Sequence, residues 1–108
     1  MASDPDPAAD VVIVTGAASA LGQRACALAV ADPAVARVVA IDRRPIPALH
    51  GVETKRVDLA TDDLKPIFEG AATVVHLAQC SGPEPSAEVG DGDLARRVLD
   101  AAGDVGVA

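Results

Sequence analysis

The stretch Val11-Val12-Ile13-Val14-Thr15-Gly16-Ala17-Ala18-Ser19-Ala20-Leu21-Gly22 decides the fold. Its first four residues form a continuous β-branched run, which suits a strand buried on both faces at the centre of a parallel sheet. The next eight carry small side chains and a single leucine. They lead into a segment whose Leu21, Ala25, Leu28 and Ala29 are spaced for one face of a helix, with Pro33 beyond its end. A strand that turns through small residues into a helix brings backbone amides together at the positive end of that helix. Gly16 supplies the reversal, and the lack of bulky side chains lets an anionic group approach the amides.

Working outward, Arg37-Val38-Val39-Ala40-Ile41 reads as a second strand that stops at Asp42. Residues 43–51 contain two prolines, His50 and Gly51, and are expected to form a loop. Residues Glu53–Val57 are half polar and suit an outer strand, with Asp58-Leu59 at its carboxyl end. Thr61 to Gly70 reads as a helix capped by Thr61 or Asp62 and stopped by Gly70, although Pro66 can divide it into two short turns. Thr73-Val74-Val75-His76-Leu77-Ala78 is a fourth, nearly continuous apolar strand. Residues 79–92 are a loop rich in Gly, Pro and Ser. In the last helix Leu94, Val98, Ala101, Ala102 and Val105 lie on one stripe, closed by Gly106. The alternation predicts an α/β fold: a Rossmann-like parallel sheet in the order 3-2-1-4, with helices on both faces, ending before a fifth strand. Residues 1–10 hold Asp4, Asp6 and Asp10, two prolines and no Val, Ile or Leu, and are expected to be a flexible acidic leader to a partial nucleotide-binding domain over 11–108.

Composition limits the chemistry. The 108 residues suit one compact domain, and half of them are apolar. Sixteen acidic residues against nine basic ones leave a net charge of −7, which argues against nucleic acid or an anionic membrane as partner. No apolar run approaches the roughly 18–20 residues that span a bilayer, and the N-terminus lacks a basic and an apolar segment of the secretory kind, so a cytoplasmic location is expected. Cys26 and Cys80 have no metal-ligand or redox spacing and read as free thiols. Tyr and Trp are absent.

The small-residue loop gains meaning from Asp42, which ends the second strand 20 residues after Gly22. A dinucleotide site places glycines in the first strand–helix turn and an acid about 20 residues on, where its carboxylate accepts from ribose hydroxyls. Gly16 and Gly22 stand at the first and last glycine positions, while the middle one is replaced. Asp42 disfavours a 2′-phosphate and points to NAD, whereas Arg43 and Arg44 can neutralise such a phosphate and keep NADP in view.

The segments VVIVTGAASALG, VVAIDRR, VDLATDDL, VVHLAQ and DLARRVLDAA resemble the first half of short-chain dehydrogenase/reductases, most closely the extended, epimerase/dehydratase-like branch. That resemblance implies that backbone amides around Ala18–Leu21, with Gly16, Ser19, Ala20 and Gly22 shaping the loop, hold a pyrophosphate. It implies that Asp42, beside Arg43, holds the adenine ribose, that Asp58 and Leu59 meet the adenine edge, and that Leu77, Ala78 and Gln79 line the middle of the cofactor. The extended branch has a glycine where Ser19 stands, and the shorter branch has one where Ala20 stands. Ser19 is expected to compensate by capping the helix or bonding a phosphate oxygen. The family's Tyr-x-x-x-Lys motif is absent, so no catalytic residue is assigned, and a small-molecule substrate belongs only to a longer chain. The reading is an NAD(P)-binding segment of an oxidoreductase or epimerase. Its alternative is a non-catalytic nucleotide-sensing or scaffold domain.

The remaining polar residues have simpler roles. His76 reads as a core histidine or part of the cofactor wall rather than a base. Asp62-Asp63 and Asp91/Asp93 read as capping acids, and no metal site is expected. Cys80 would face the cleft. The fourth strand would expose an apolar edge open to self-association.

Overall fold

The computed structural model describes residues 11–78 and 91–107. Seven elements follow in chain order: β1 (Val11–Thr15), α1 (Ala20–Ala31), β2 (Arg37–Asp42), β3 (Val52–Arg56), α2 (Lys65–Phe68), β4 (Thr73–His76) and α3 (Asp91–Asp104). The four strands form one sheet in the order β3-β2-β1-β4, and every pairing is parallel. The Rossmann-like expectation therefore holds. Register aligns the carboxyl ends: Thr15 lies opposite Ile41 on one side and His76 on the other, and Asp42 lies opposite Arg56.

Successive strand residues point to opposite faces, and each face has its own core. Ile13, Val39 and Ile41 pack with Leu64 and Phe68 of the α2 region and with Leu94, Val98 and Ala101 of α3. Val14, Val38 and Ala40 pack on the other face with Ala17 and with Cys26 of α1. The α3 stripe matches its sequence expectation, and Ala102 and Val105 flank it half-buried. Gly106, at φ 79°, closes that helix: its N–H bonds the Gly103 carbonyl at 3.3 Å while Val107 N–H bonds Ala102 at 2.8 Å. That pair of bonds is the Schellman arrangement.

Two helices differ from their sequence reading. In α1 the fully buried residues are Gly22 and Cys26, whereas Leu21 and Leu28 stand 64% and 62% exposed. The helix starts so close to β1 that only small side chains fit beneath it, which rotates the two leucines outward. The helix expected over Thr61–Gly70 is confined to Lys65–Phe68, with Pro66 in its first turn, where a missing N–H costs nothing. The segment before it is a separate turn in which Thr61 and Asp62 N–H both bond the Asp58 carbonyl. Proline thus divides the segment in two.

Candidate functional site

The carboxyl ends of β1, β2 and β3, with Leu77 and Ala78 just beyond β4, lie along one rim of the sheet. Between β1 and β4 the strand order reverses, and open α/β sheets carry their ligand crevices at that switch. Gly16 leaves β1 at φ 70°, a conformation that favours glycine, and a Cβ there would lie 2.7 Å from Ala78 N and from Leu77 C. Gly22 permits a second close approach, since its Cβ would overlap the Gly16 carbonyl oxygen and sit 2.7 Å from Ala17 Cα. Both glycines are thus required by packing: one lets the loop cross β4, the other lets α1 begin against that loop.

Ser19, at the position where the extended branch that the sequence resembles has a glycine, occupies φ −75°, ψ 161° and is the N-cap of α1. Its Oγ donates to the Gly16 carbonyl at 2.8 Å and accepts from Gly22 N at 3.0 Å. The position needs no left-handed backbone, so the substitution leaves the turn unstrained, and the capping role expected for Ser19 is realised. The N–H groups are divided unequally. Ala17 N bonds the Ile41 carbonyl, Ala18 N bonds Asp42 Oδ2, and Ser19 N bonds the Gly16 carbonyl. The amides of Ala20 and Leu21, in the first turn of α1, have no acceptor among the described residues. Of the amides expected to face an anion, Ala18 and Ser19 are committed within the protein, and the open donors are the two that follow.

Asp42 is only 8% exposed, and its carboxylate is built into the loop. Oδ2 accepts from Ala18 N at 2.9 Å, and Oδ1 accepts from Arg44 N at 2.9 Å and from Arg44 Nε at 3.5 Å. Burial pushes its pKa up, but the Arg44 and Ala18 amides and the Arg44 guanidinium outweigh burial and hold it below the usual carboxylate range. The acid that ends β2 therefore latches the loop after β1, and Oδ2, with a single donor, keeps a lone pair for a further one. Arg43 is exposed, and its carbonyl accepts from Arg56 Nε and Nη2 at 3.3 and 3.0 Å.

Asp58 follows β3, where Val57 N bonds the Asp42 carbonyl at 3.0 Å. Asp58 Oδ1 accepts from Ala60 N at 2.9 Å, and Oδ2 has no partner among the described residues. Leu59 is buried in the α3-side core. On the β4 side, Thr15 is fully buried and its Oγ1 accepts from Leu77 N at 3.0 Å and Ala78 N at 3.2 Å. Its one hydroxyl proton therefore goes to His76 Nδ1, 2.7 Å away, which makes that nitrogen an acceptor and fixes the Nε2–H tautomer. His76 is a half-buried structural partner of Thr15, as the sequence suggested. Gln79 and Cys80 lie outside the described residues, as do the side chains of Asp91 and Asp93. Cys26 is a buried free thiol, and burial pushes its pKa up. Asp62 and Asp63 accept from Asp58 N and Lys65 N at 2.7 and 3.3 Å.

Sequence reading missed Arg97. Its Nε donates to the Leu59 carbonyl at 2.7 Å and its Nη2 to the Asp62 carbonyl at 2.6 Å. The signal was helix phase, since position 97 flanks the buried stripe of Leu94, Val98 and Ala101 while Arg96 is exposed.

No family model matches the chain. It is 32% identical over 73 residues to the adenylate-forming reductase Nps10 of Heterobasidion annosum, a match covering 68% of this chain and 7% of that protein. The uronate dehydrogenase of Agrobacterium tumefaciens superposes with a TM-score of 0.74 at 26% identity over 90% of this chain and 37% of its own. A short-chain dehydrogenase/reductase superfamily protein from the same organism, solved with bound NAD, gives a TM-score of 0.70 at 28% identity over 90% of this chain and 30% of its own.

A four-stranded 3-2-1-4 parallel sheet, a capped small-residue loop after β1 and an acid closing β2 define a Rossmann-type α/β domain. Within that class the chain is similar in fold and sequence to the first part of dehydrogenases and epimerases of the short-chain dehydrogenase/reductase type. It spans about a third of the length of those solved relatives. No helix among the described residues is long and apolar enough to cross a membrane.

Proposed function

We propose that the rim between β1 and β4 binds NAD and that the chain is the cofactor-binding segment of an oxidoreductase or epimerase acting on a sugar-like carbonyl or alcohol. The observation that carries this reading is the Asp42 latch. A buried, ionised acid holds a loop in which the amides of Ala20 and Leu21, at the start of α1, have no acceptor among the described residues. Those amides suit the pyrophosphate. Asp42 Oδ2 keeps a lone pair for a hydroxyl of the adenine ribose, and the open Oδ2 of Asp58 suits the amino group of adenine. Gly16 and Gly22 shape the loop, Leu59 backs the base, and Leu77 and Ala78, with Gln79, wall the middle of the cofactor. Bound NAD would supply a nicotinamide that accepts or returns a hydride.

What this chain contributes is binding and orientation. Asp42 holds the loop that leads into the open amides, and Thr15, by accepting from Leu77 N and Ala78 N, holds the segment beyond β4. The sequence holds no Tyr, so these residues supply no phenolic acid or base. Asp42 disfavours a 2′-phosphate, whereas Arg43 and Arg44 lie beside that position. NAD is the cofactor proposed.

Calorimetric titration of NAD and NADP into wild-type protein and Asp42→Ala tests the reading. NAD binding to wild type, weaker NADP binding, and a loss of NAD affinity of roughly tenfold or more in the variant are expected, as for a lost charge-assisted hydrogen bond. Unchanged NAD affinity in Asp42→Ala refutes it.

A further inference from the structure

The turn that presents Asp58 is tied down from behind. Asp58 N donates to Asp62 Oδ2 at 2.7 Å, its carbonyl accepts from Thr61 N at 3.2 Å and Asp62 N at 2.8 Å, and its Oδ1 accepts from Ala60 N at 2.9 Å. These bonds close the turn on itself but do not fix it to the rest of the molecule. Arg97 does so, because one guanidinium from α3 reaches two carbonyls, Leu59 and Asp62, that bracket the far side of the turn. A fork donor on two acceptors fixes orientation as well as distance. With Oδ1 committed to Ala60, turning this segment aims the remaining Asp58 oxygen.

The geometry points to Arg97 as the residue that positions Asp58 for base recognition, setting a preference for a purine that carries a 6-amino group. The inference deepens the proposed function and rests on its assignment of Asp58 to the adenine edge. Arg97 touches no part of the proposed ligand. Its effect falls on discrimination between bases more than on affinity for the pyrophosphate and sugars.

The test compares NAD with its hypoxanthine analogue, in which a keto oxygen replaces the 6-amino group. Both are titrated into wild type, Arg97→Met, which keeps the apolar stem, and Arg97→Lys, which offers a point donor. Wild type is expected to prefer NAD by roughly tenfold, the worth of one hydrogen bond to a charged acceptor. In Arg97→Met the preference should fall to roughly twofold or less, with Arg97→Lys between them. Amide hydrogen exchange should quicken at Ala60 and Asp62 in the Met variant, a readout that needs no ligand. An Arg97→Met that weakens both dinucleotides in proportion, its preference intact, makes Arg97 merely structural and overturns the inference. Where the Met variant does not fold, the same ratio in Arg97→Lys decides. Wild type that binds neither dinucleotide overturns the proposed function itself, and wild type that binds both alike overturns the assignment of Asp58.

Discussion

At the scale of single residues, the buried acid of β2 does the most. Asp42 accepts on both oxygens from backbone amides, so Asp42→Asn must turn an NH2 group toward Ala18 N or Arg44 N and put donor against donor. Leaving a buried donor unpaired costs about 1–3 kcal/mol. The loss should appear as a lower urea midpoint with an unchanged slope. The pH dependence follows from the depressed pKa. Its stabilisation is fully present above the unfolded-state value of about 3.9 and is lost as pH falls through that value toward the lower folded one. Urea midpoints between pH 7 and pH 3 should therefore fall less steeply in Asp42→Asn than in wild type. Legibility at this scale was partial. The spacing from Gly22 singled out Asp42 as a ligand acid, but its bond to Ala18 joins the end of one strand to the loop after another, a contact that a linear pattern does not encode. Ser19 was readable as a cap because an N-cap depends on local order alone.

At the scale of elements, α1 and α3 contrast. The approach of α1 to β1 is closed by Gly22, where an added methyl meets the Gly16 carbonyl, a backbone atom that cannot swing aside. Gly22→Ala should cost about 1–3 kcal/mol or more through overpacking. Gly103 lies in α3 with nothing within 4 Å of an added Cβ. Gly103→Ala should instead stabilise by about 0.4–1 kcal/mol, because it removes freedom from the unfolded chain and favours the helix. Thermal melts of the two variants should move in opposite directions, and a Gly22→Ala as stable as wild type would contradict the packing account. The same contrast explains why the stripe of α3 was legible and that of α1 was not. In α3 large residues face the core, so hydrophobic period and burial coincide. In α1 the core side is chosen for smallness, at Gly22 and Cys26, and the leucines that mark an apolar face point outward. The α2 segment was legible as far as Pro66 allowed, since fixed φ and a missing N–H place proline in a first turn without stating where the helix ends.

At the scale of the whole molecule, the sheet has two unlike edges among the described residues. β3 presents Glu53, Thr54, Lys55 and Arg56, all exposed, and Arg37 pairs with Glu53 at 2.8 Å. Charged side chains along an edge strand oppose the docking of another chain. β4 is bonded to β1 on one side and presents Thr73, Val74, Val75 and His76, with no Lys, Arg, Asp or Glu. Along Thr73–Val75 that edge has no second partner strand among the described residues and is a template for a further strand, through which the protein is expected to pair. Opposing this is the net charge of −7, whose repulsion between copies weakens as salt screens it over a Debye length of about 8 Å at 0.15 M. Association should therefore strengthen with ionic strength, the reverse of an ion-pair interface. Thr73→Lys places a charge at the exposed start of that edge, opposite Val12, and should shift the protein toward monomer. Sedimentation velocity over a concentration series, at low and at high salt, follows both effects. A wild-type chain that stays monomeric at high concentration and high salt shows that β4 is not used, whereas self-association unaffected by Thr73→Lys moves the contact to another surface, such as the exposed Leu21 and Leu28 of α1.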